Sequence, residues 1–224
     1  MTHRLERLTA TQVREAGLTD WRQILGRIKA RFRTEDFATG LRLVNKIGEV
    51  AEAANHHPDV LLTWADVIVT LSSHDVQGIT SRDLDLARRI SAVAADLAID
   101  ADVSGLTQLE LGLDTSLGPR LAPFYAALLG GKVDRGEAAD PSGQTPTVWW
   151  QERGHLDEEL ALPEQLFEQR WHFDVWVPHD EAERRLRAVL DAGGRLVSDA
   201  AAPAYWVVED DEGNRSCICT PAGR

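Results

Sequence analysis

The chain has 224 residues, 43% of them hydrophobic, and 24 Lys and Arg stand against 36 Asp and Glu for a formal net charge of −12. That length and apolar content support a sizeable core in one or two domains. The acidic balance argues against nucleic acid as a general partner, because phosphate binding needs positive patches. No apolar run approaches membrane-spanning length, and Met1-Thr2-His3-Arg4-Leu5-Glu6 has no apolar signal region, so neither a membrane nor a secretory route is expected. The two cysteines, Cys217 and Cys219, alternate with Ile218 in a strand-like segment. They point to one sheet face, a poor geometry for a mutual disulfide, and the expected setting is reducing and cytoplasmic.

In chain order, the first strong signal is a helix from Asp36 to about Asn55. Phe37, Leu41, Val44, Ile47, Ala51 and Ala54 recur at helical spacing and predict one buried face. Glu52 and His56, four apart, are expected to share a face at its end. Pro58 stops it, because proline disfavours helical geometry in the residue before it. The stretches Val60-Leu61-Leu62-Thr63-Trp64 and Val67-Ile68-Val69-Thr70-Leu71 are β-branched and aromatic and read as one or two strands. His74 follows the second. Thr80 then offers an N-cap with Asp83 three residues on, opening an amphipathic helix through Leu84, Ala87, Ile90, Val93 and Leu97. The segment 98–105 reads as a short linker.

Glu52, His56-His57-Pro58, Trp64, His74 and Asp83 thus fall within 32 residues. Histidine is the side chain whose unperturbed pKa lies near neutrality, so three of them together suggest proton traffic. Each member also has a plain structural reading: a strand-end His74, a capping Asp83, a core Trp64, a solvated Glu52. A metal site fits poorly, because adjacent histidines chelate poorly together and neither CxxC nor HExxH spacing accompanies them.

The whole pattern resembles the pterin-4a-carbinolamine dehydratase family, whose signature is an acidic residue, three residues, His-His-Pro, an aromatic, a later histidine and an aspartate. The resemblance extends through Leu18, Trp21, Arg31-Phe32, Asp36-Phe37, Leu71, His74-Asp75, Gly78-Ile79-Thr80 and Leu86-Ala87, and so covers about the first hundred residues. Trp64 stands where tyrosine is more frequent, and Ser73 where threonine is common. The resemblance implies dehydration of 4a-hydroxytetrahydropterin to quinonoid dihydropterin, with His56, His57 and His74 as the acid/base set and Glu52, Trp64 and Asp83 binding or shaping the substrate. Pterin would be the substrate and no cofactor would be needed. It implies an antiparallel sheet with helices on one face over residues 4–97, a homo-oligomer, and a functional link to an aromatic amino acid hydroxylase. Family members also act as binding partners, so a non-catalytic dimerisation scaffold is the alternative.

The second half is more acidic: residues 1–103 hold 13 basic and 15 acidic side chains, residues 104–224 hold 11 and 21. Five of the seven tryptophans also lie there. Two domains are therefore expected, 1–103 and 104–224. The second contains a weak repeat. Leu129-Gly130-Gly131-Lys132-Val133 answers Ala192-Gly193-Gly194-Arg195-Leu196, 63 residues later. Each Gly-Gly closes an amphipathic helix (121–129 and 182–190) as a C-cap would. An alternating strand precedes each helix and further strands follow, with Asp211-Glu212-Gly213-Asn214 as a hairpin turn.

That layout resembles a glyoxalase-like domain of the vicinal oxygen chelate superfamily, and the fold expected overall is α+β, with paired βαβββ modules over 107–221. In metal-dependent members of that superfamily a ligand stands on each of four strands. Here His172 is at one such place, the 63-residue offset sets Leu109 opposite it, Cys217 stands where glutamate is usual, and Gln151 is a weak ligand. A hard cation prefers carboxylates and imidazoles, so no metal is expected. The remaining readings for this half are a small-molecule binding pocket walled by tryptophans or a structural role.

Overall fold

The computed structural model describes residues 6–152, 160–165 and 167–223. The expected start of the first unit at residue 4 lies outside the described residues. The chain divides into two compact units, the first ending at Leu106 and the second running Thr107–Gly223.

In the first unit, helix α1 (Ala10–Glu15) precedes strands β1 (Arg22–Ile24) and β2 (Arg27–Arg33). Helix α2 (Phe37–Ala54), strands β3 (Asp59–Leu62) and β4 (Asp66–Leu71), and helix α3 (Ser81–Asp96) follow. The strands form one antiparallel sheet in the order β1-β2-β4-β3. Alternation along β2 and β4 turns Ile28, Ala30, Phe32, Val67, Val69 and Leu71 to one face. There they pack with Leu43, Ile47 and Ala51 of α2 and Ala87, Ile90 and Ala94 of α3. Burying an aliphatic or aromatic side chain of this size contributes about 1.5–3 kcal/mol, which fixes the helices to that face. The expected helical stripe is displaced: Phe37 and Leu41 are exposed, while Gly40, Leu43, Ile47 and Ala51 are buried. Gly40 decides this, because a Cβ there would stand 2.5 Å from Leu62 Cδ1. The close approach of helix to strand requires the glycine side inward.

Residues 98–105 are not a free linker. Arg33 N–H donates to the Asp100 carbonyl at 2.9 Å and Asp102 N–H to the Arg31 carbonyl at 2.8 Å, so Ala101 lies opposite Phe32 as a short extension of the sheet. The Arg31 guanidinium meets Asp102 at 2.5 Å. Hydrogen bonds from the Ser104 hydroxyl and backbone N–H, with that guanidinium, hold the Asp102 carboxyl down at about 2.

The second unit repeats one motif. The first copy is β5 (Gln108–Asp114), α4 (Gly118–Leu128), β6 (Lys132–Asp134), β7 (Glu137–Ala139) and β8 (Thr147–Gln151). The second is β9 (Trp171–Trp176), α5 (Ala182–Asp191), β10 (Arg195–Ser198), β11 (Tyr205–Glu209) and β12 (Arg215–Cys219). These are two βαβββ modules, and their strands join in one eight-stranded sheet, β10-β11-β12-β9-β5-β8-β7-β6. After each helix, Gly130 at φ +70° and Gly193 at φ +99° adopt the left-handed conformation the sequence assigns to the Gly-Gly pairs. No helix among the described residues is long and apolar enough to cross a membrane.

Candidate functional site

The histidine-rich segment of the first unit is shaped by the end of α2. Asn55 adopts a left-handed conformation (φ 48°, ψ 41°), and the His56 N–H reaches back to the Ala51 carbonyl at 3.2 Å. This is the tight helix stop for which asparagine is the usual substitute for glycine. The reversal breaks the expected pairing of Glu52 with His56. Glu52 Oε1 instead lies 3.2 Å from His57 Nε2, with both side chains exposed, and His56 turns inward.

His56 Nε2 lies 2.7 Å from Asp83 Oδ1. Asp83 is 0% exposed. Its second oxygen accepts from the Thr80 N–H (2.7 Å) and lies 2.8 Å from the Ser73 hydroxyl and 3.1 Å from the Thr80 hydroxyl. The Thr80/Asp83 capping box expected from the sequence is therefore present, and the same carboxylate also holds His56. Asp83, expected to bind substrate, has no exposed surface, and each of its oxygens is already engaged. Ser73, which precedes exposed His74, anchors that histidine's turn to the same carboxylate, and its N–H bonds the Gly78 carbonyl at 2.8 Å. Trp64 stands at the β3–β4 turn, 74% exposed.

One buried ionisable group thus organises two of the three histidines, His56 by direct contact and His74 through the adjacent Ser73. His57 is tied to Glu52 at the surface. An imidazole held by a buried carboxylate beside solvent-facing imidazoles is suited to proton transfer to and from a small substrate.

The family model for pterin 4 alpha carbinolamine dehydratase matches residues 6–93, the segment carrying all of these groups. A relative from Thermosynechococcus vestitus, provisionally named pterin-4-alpha-carbinolamine dehydratase, is 41% identical over 91 residues, 40% of this chain and 96% of its own length. The chain belongs to the pterin-4-alpha-carbinolamine dehydratase family. A second relative of the same provisional name, from Nocardia farcinica, is 42% identical over 77 residues, 34% of this chain and 81% of that one. A solved structure described as a transcriptional coactivator/pterin dehydratase from Brucella melitensis is 31% identical, covering 40% of this chain and 99% of its own, with a TM-score of 0.38. The dehydratase-family match thus accounts for the first unit, and a glyoxalase-like domain matches residues 110–219 of the second.

In that second domain the strand register corrects the sequence reading. β5 and β9 are antiparallel neighbours that set Gly112 opposite His172 and Glu110 opposite Asp174. The face carrying His172 therefore holds Glu110, Gly112 and Asp114. Leu109, expected opposite His172, points to the other face, because an odd offset flips a strand residue across the sheet. The tryptophans divide likewise. Trp149 and Trp176 share the His172 face, whereas Trp150 packs with Tyr125 and Leu111, and Trp206 with Val208 and Ile218 around α5.

His172 is seated by shape. Its ring lies against Gly112, where a Cβ would meet Cε1 at 2.3 Å, and edge-on to Trp149 at a centroid distance of 5.8 Å. Its nitrogens stand 3.9 Å from Asp114 and 3.7 Å from Asp174, beyond hydrogen-bond length. Asp114 instead accepts from Gln151 Nε2 at 2.7 Å, and Glu110 from Trp176 Nε1 at 3.1 Å. The Trp149 indole N–H is buried without a hydrogen-bond partner. Cys217 and Cys219 form no disulfide.

Two features escaped the sequence reading. Ser73 as a partner of Asp83 had a faint signal, a hydroxyl one residue before His74. Glu110 and Asp114 beside His172 required the register of β5 with β9, whereas Asp174, two residues on from His172 in the same strand, shared its face by alternation.

Proposed function

We propose that the first unit dehydrates a 4a-hydroxytetrahydropterin to the quinonoid dihydropterin, as part of tetrahydropterin recycling. The observation that carries this reading is the 2.7 Å contact of His56 with buried Asp83, beside exposed His57 and His74. In the elimination, an acid protonates the hydroxyl on C4a, which leaves as water. A base removes the proton on N5, and the N5 electron pair forms the C4a=N5 double bond. Both steps need groups that exchange protons near neutrality, and histidines do so. His56, His57 and His74 are the proposed acid/base set, Glu52 orients His57, and Trp64 borders the pterin. No cofactor enters the balance. The carbinolamine would be supplied by an aromatic hydroxylase reaction, and a cytoplasmic setting suits both partners.

The test is the rate of carbinolamine loss with purified full-length protein. His57→Ala and His74→Ala are each expected to slow it by about two to four orders of magnitude, the range for a lost general acid or base, with the fold intact by circular dichroism. Wild-type protein giving no rate above the spontaneous one would favour the scaffold reading. That second reading has an observation of its own: Phe37 and Leu41 are exposed along α2, an apolar stripe suited to self-association. A homo-oligomer would appear by light scattering at micromolar concentration, and a monomer there would remove it.

A further inference from the structure

The hydrogen bonds around Asp83 contain more information than that a carboxylate touches a histidine. Three hydroxyl contacts meet there: Ser73 to Asp83 (2.8 Å), Thr80 to Asp83 (3.1 Å) and Ser73 to Thr80 (2.8 Å). Only two hydroxyl protons exist to fill them. If Ser73 donates to Asp83, Thr80 can donate to Ser73. If Ser73 donates to Thr80, Thr80 must donate to Asp83. In every arrangement Oδ2 receives at least one hydroxyl proton, and it also receives the Thr80 N–H, a backbone donor that cannot be reversed. Thr80 Oγ1 in turn accepts the Arg82 N–H at 3.2 Å, which completes a chain of donors directed at one oxygen. Oδ2 is thereby fixed as an acceptor, and Oδ1 is left to face His56 Nε2 at 2.7 Å.

We propose that Ser73, Thr80 and Asp83 form a relay that fixes His56 as the Nε2–H tautomer, so that Nδ1 is the nitrogen exchanging protons with the substrate. This rests on the dehydratase reading for its catalytic consequence, though the tautomer itself does not. The imidazole donates Nε2–H to the carboxylate, which holds the ring in one orientation and supports the imidazolium when Nδ1 takes a proton. Ser73 and Asp83 are positioning residues: they act through His56 and touch no substrate. The sequence alone assigns Asp83 to the cap and gives Ser73 no role.

The relay is tested by long-range nitrogen–proton correlation spectra of uniformly 15N-labelled full-length protein, at a pH where His56 is neutral, with His56→Gln for assignment. Wild type is expected to show protonated Nε2 and unprotonated Nδ1. In Asp83→Asn the backbone N–H of Thr80 still requires an oxygen, so the amide NH2 must face His56 and demand an acceptor there. The tautomer is expected to invert and kcat to fall by about three to four orders of magnitude, as when an aspartate-held histidine is inverted elsewhere. Ser73→Ala is expected to lower kcat about tenfold with little change in KM, and Ser73→Thr to restore it, since threonine keeps the hydroxyl. A wild-type Nδ1–H tautomer, or Nε2–H persisting in a folded Asp83→Asn, would overturn the relay. Should Asp83→Asn fail to fold, the wild-type spectrum alone decides. Unchanged kcat in Ser73→Ala removes Ser73 from it. Absence of dehydratase activity in wild type would instead strike the functional reading, and the spectrum would still report the tautomer.

Discussion

His56 and His172 each lie close to an aspartate, yet they are held in opposite ways. His56 is gripped by polarity: a single buried carboxylate, itself saturated by Ser73 and Thr80, meets one ring nitrogen at 2.7 Å. His172 is gripped by volume, wedged on Gly112 and against Trp149, with Asp114 and Asp174 at 3.9 and 3.7 Å. Proximity of the same two residue types therefore predicts different behaviour. The first histidine has a defined proton position, and the second has a defined place without one. A hydrogen bond to a charged group is worth about 1.5–3 kcal/mol, whereas ring packing is lost only when the space is filled or emptied.

The largest separation of the two should be kinetic. His56→Ala is expected to cost about two to four orders of magnitude in dehydratase rate, while His172→Ala should leave that rate near wild type. Equal losses in both variants would mean the comparison is wrong. Elemental analysis of protein purified without added metal should find no stoichiometric divalent ion. One metal per chain, lost in His172→Ala, would make His172 a ligand rather than a packed ring.

Next in size is a stability effect. Gly112→Ala would place a Cβ 2.3 Å from His172 Cε1 and 2.4 Å from Nε2, so the ring must move against Trp149. Overpacking of this kind costs about 1–3 kcal/mol, read as a lower unfolding midpoint for the second unit with dehydratase activity kept. The double variant Gly112→Ala/His172→Ala should recover part of the loss, because the clash is with that ring. No recovery would show that His172 is not what the glycine accommodates.

The smallest effect is set by pH. Asp102 titrates at about 2 rather than its ordinary 3.8, because Ser104 and then Arg31 stabilise the carboxylate. The unfolded chain binds more protons in that window, so the contribution of Asp102 to stability is fully present above about pH 4 and is lost as pH falls toward 2. The stability gap between wild type and Asp102→Asn should narrow across those pH values and stay flat above them. A gap independent of pH would mean that the Arg31–Asp102 contact adds little beyond packing.

The first unit was largely legible because its signals are local. Thr80 is a cap that a short sequence window contains, and the structure has its capping box with Asp83. The strands flanking Trp64 and the helix from Thr80 follow from composition over a few residues. The displaced face of α2 was not legible, since it depends on Leu62 meeting Gly40 across 22 positions of sequence.

By itself, then, the sequence determined the order of elements from α2 to α3, the paired βαβββ modules and the family to which the first unit belongs, because each follows from short-range periodicity or from a spaced motif. Only the tertiary structure decided which histidine meets which carboxylate. Asn55 reverses the chain and trades Glu52 from His56 to His57. The pairing of β5 with β9 moves Leu109 off the His172 face and brings Glu110 and Asp114 onto it. Both outcomes hinge on a single residue's conformation or a single step of strand register. The alternation of a strand records which residues share a face, but the face that meets a particular neighbour is set only when the strands pair.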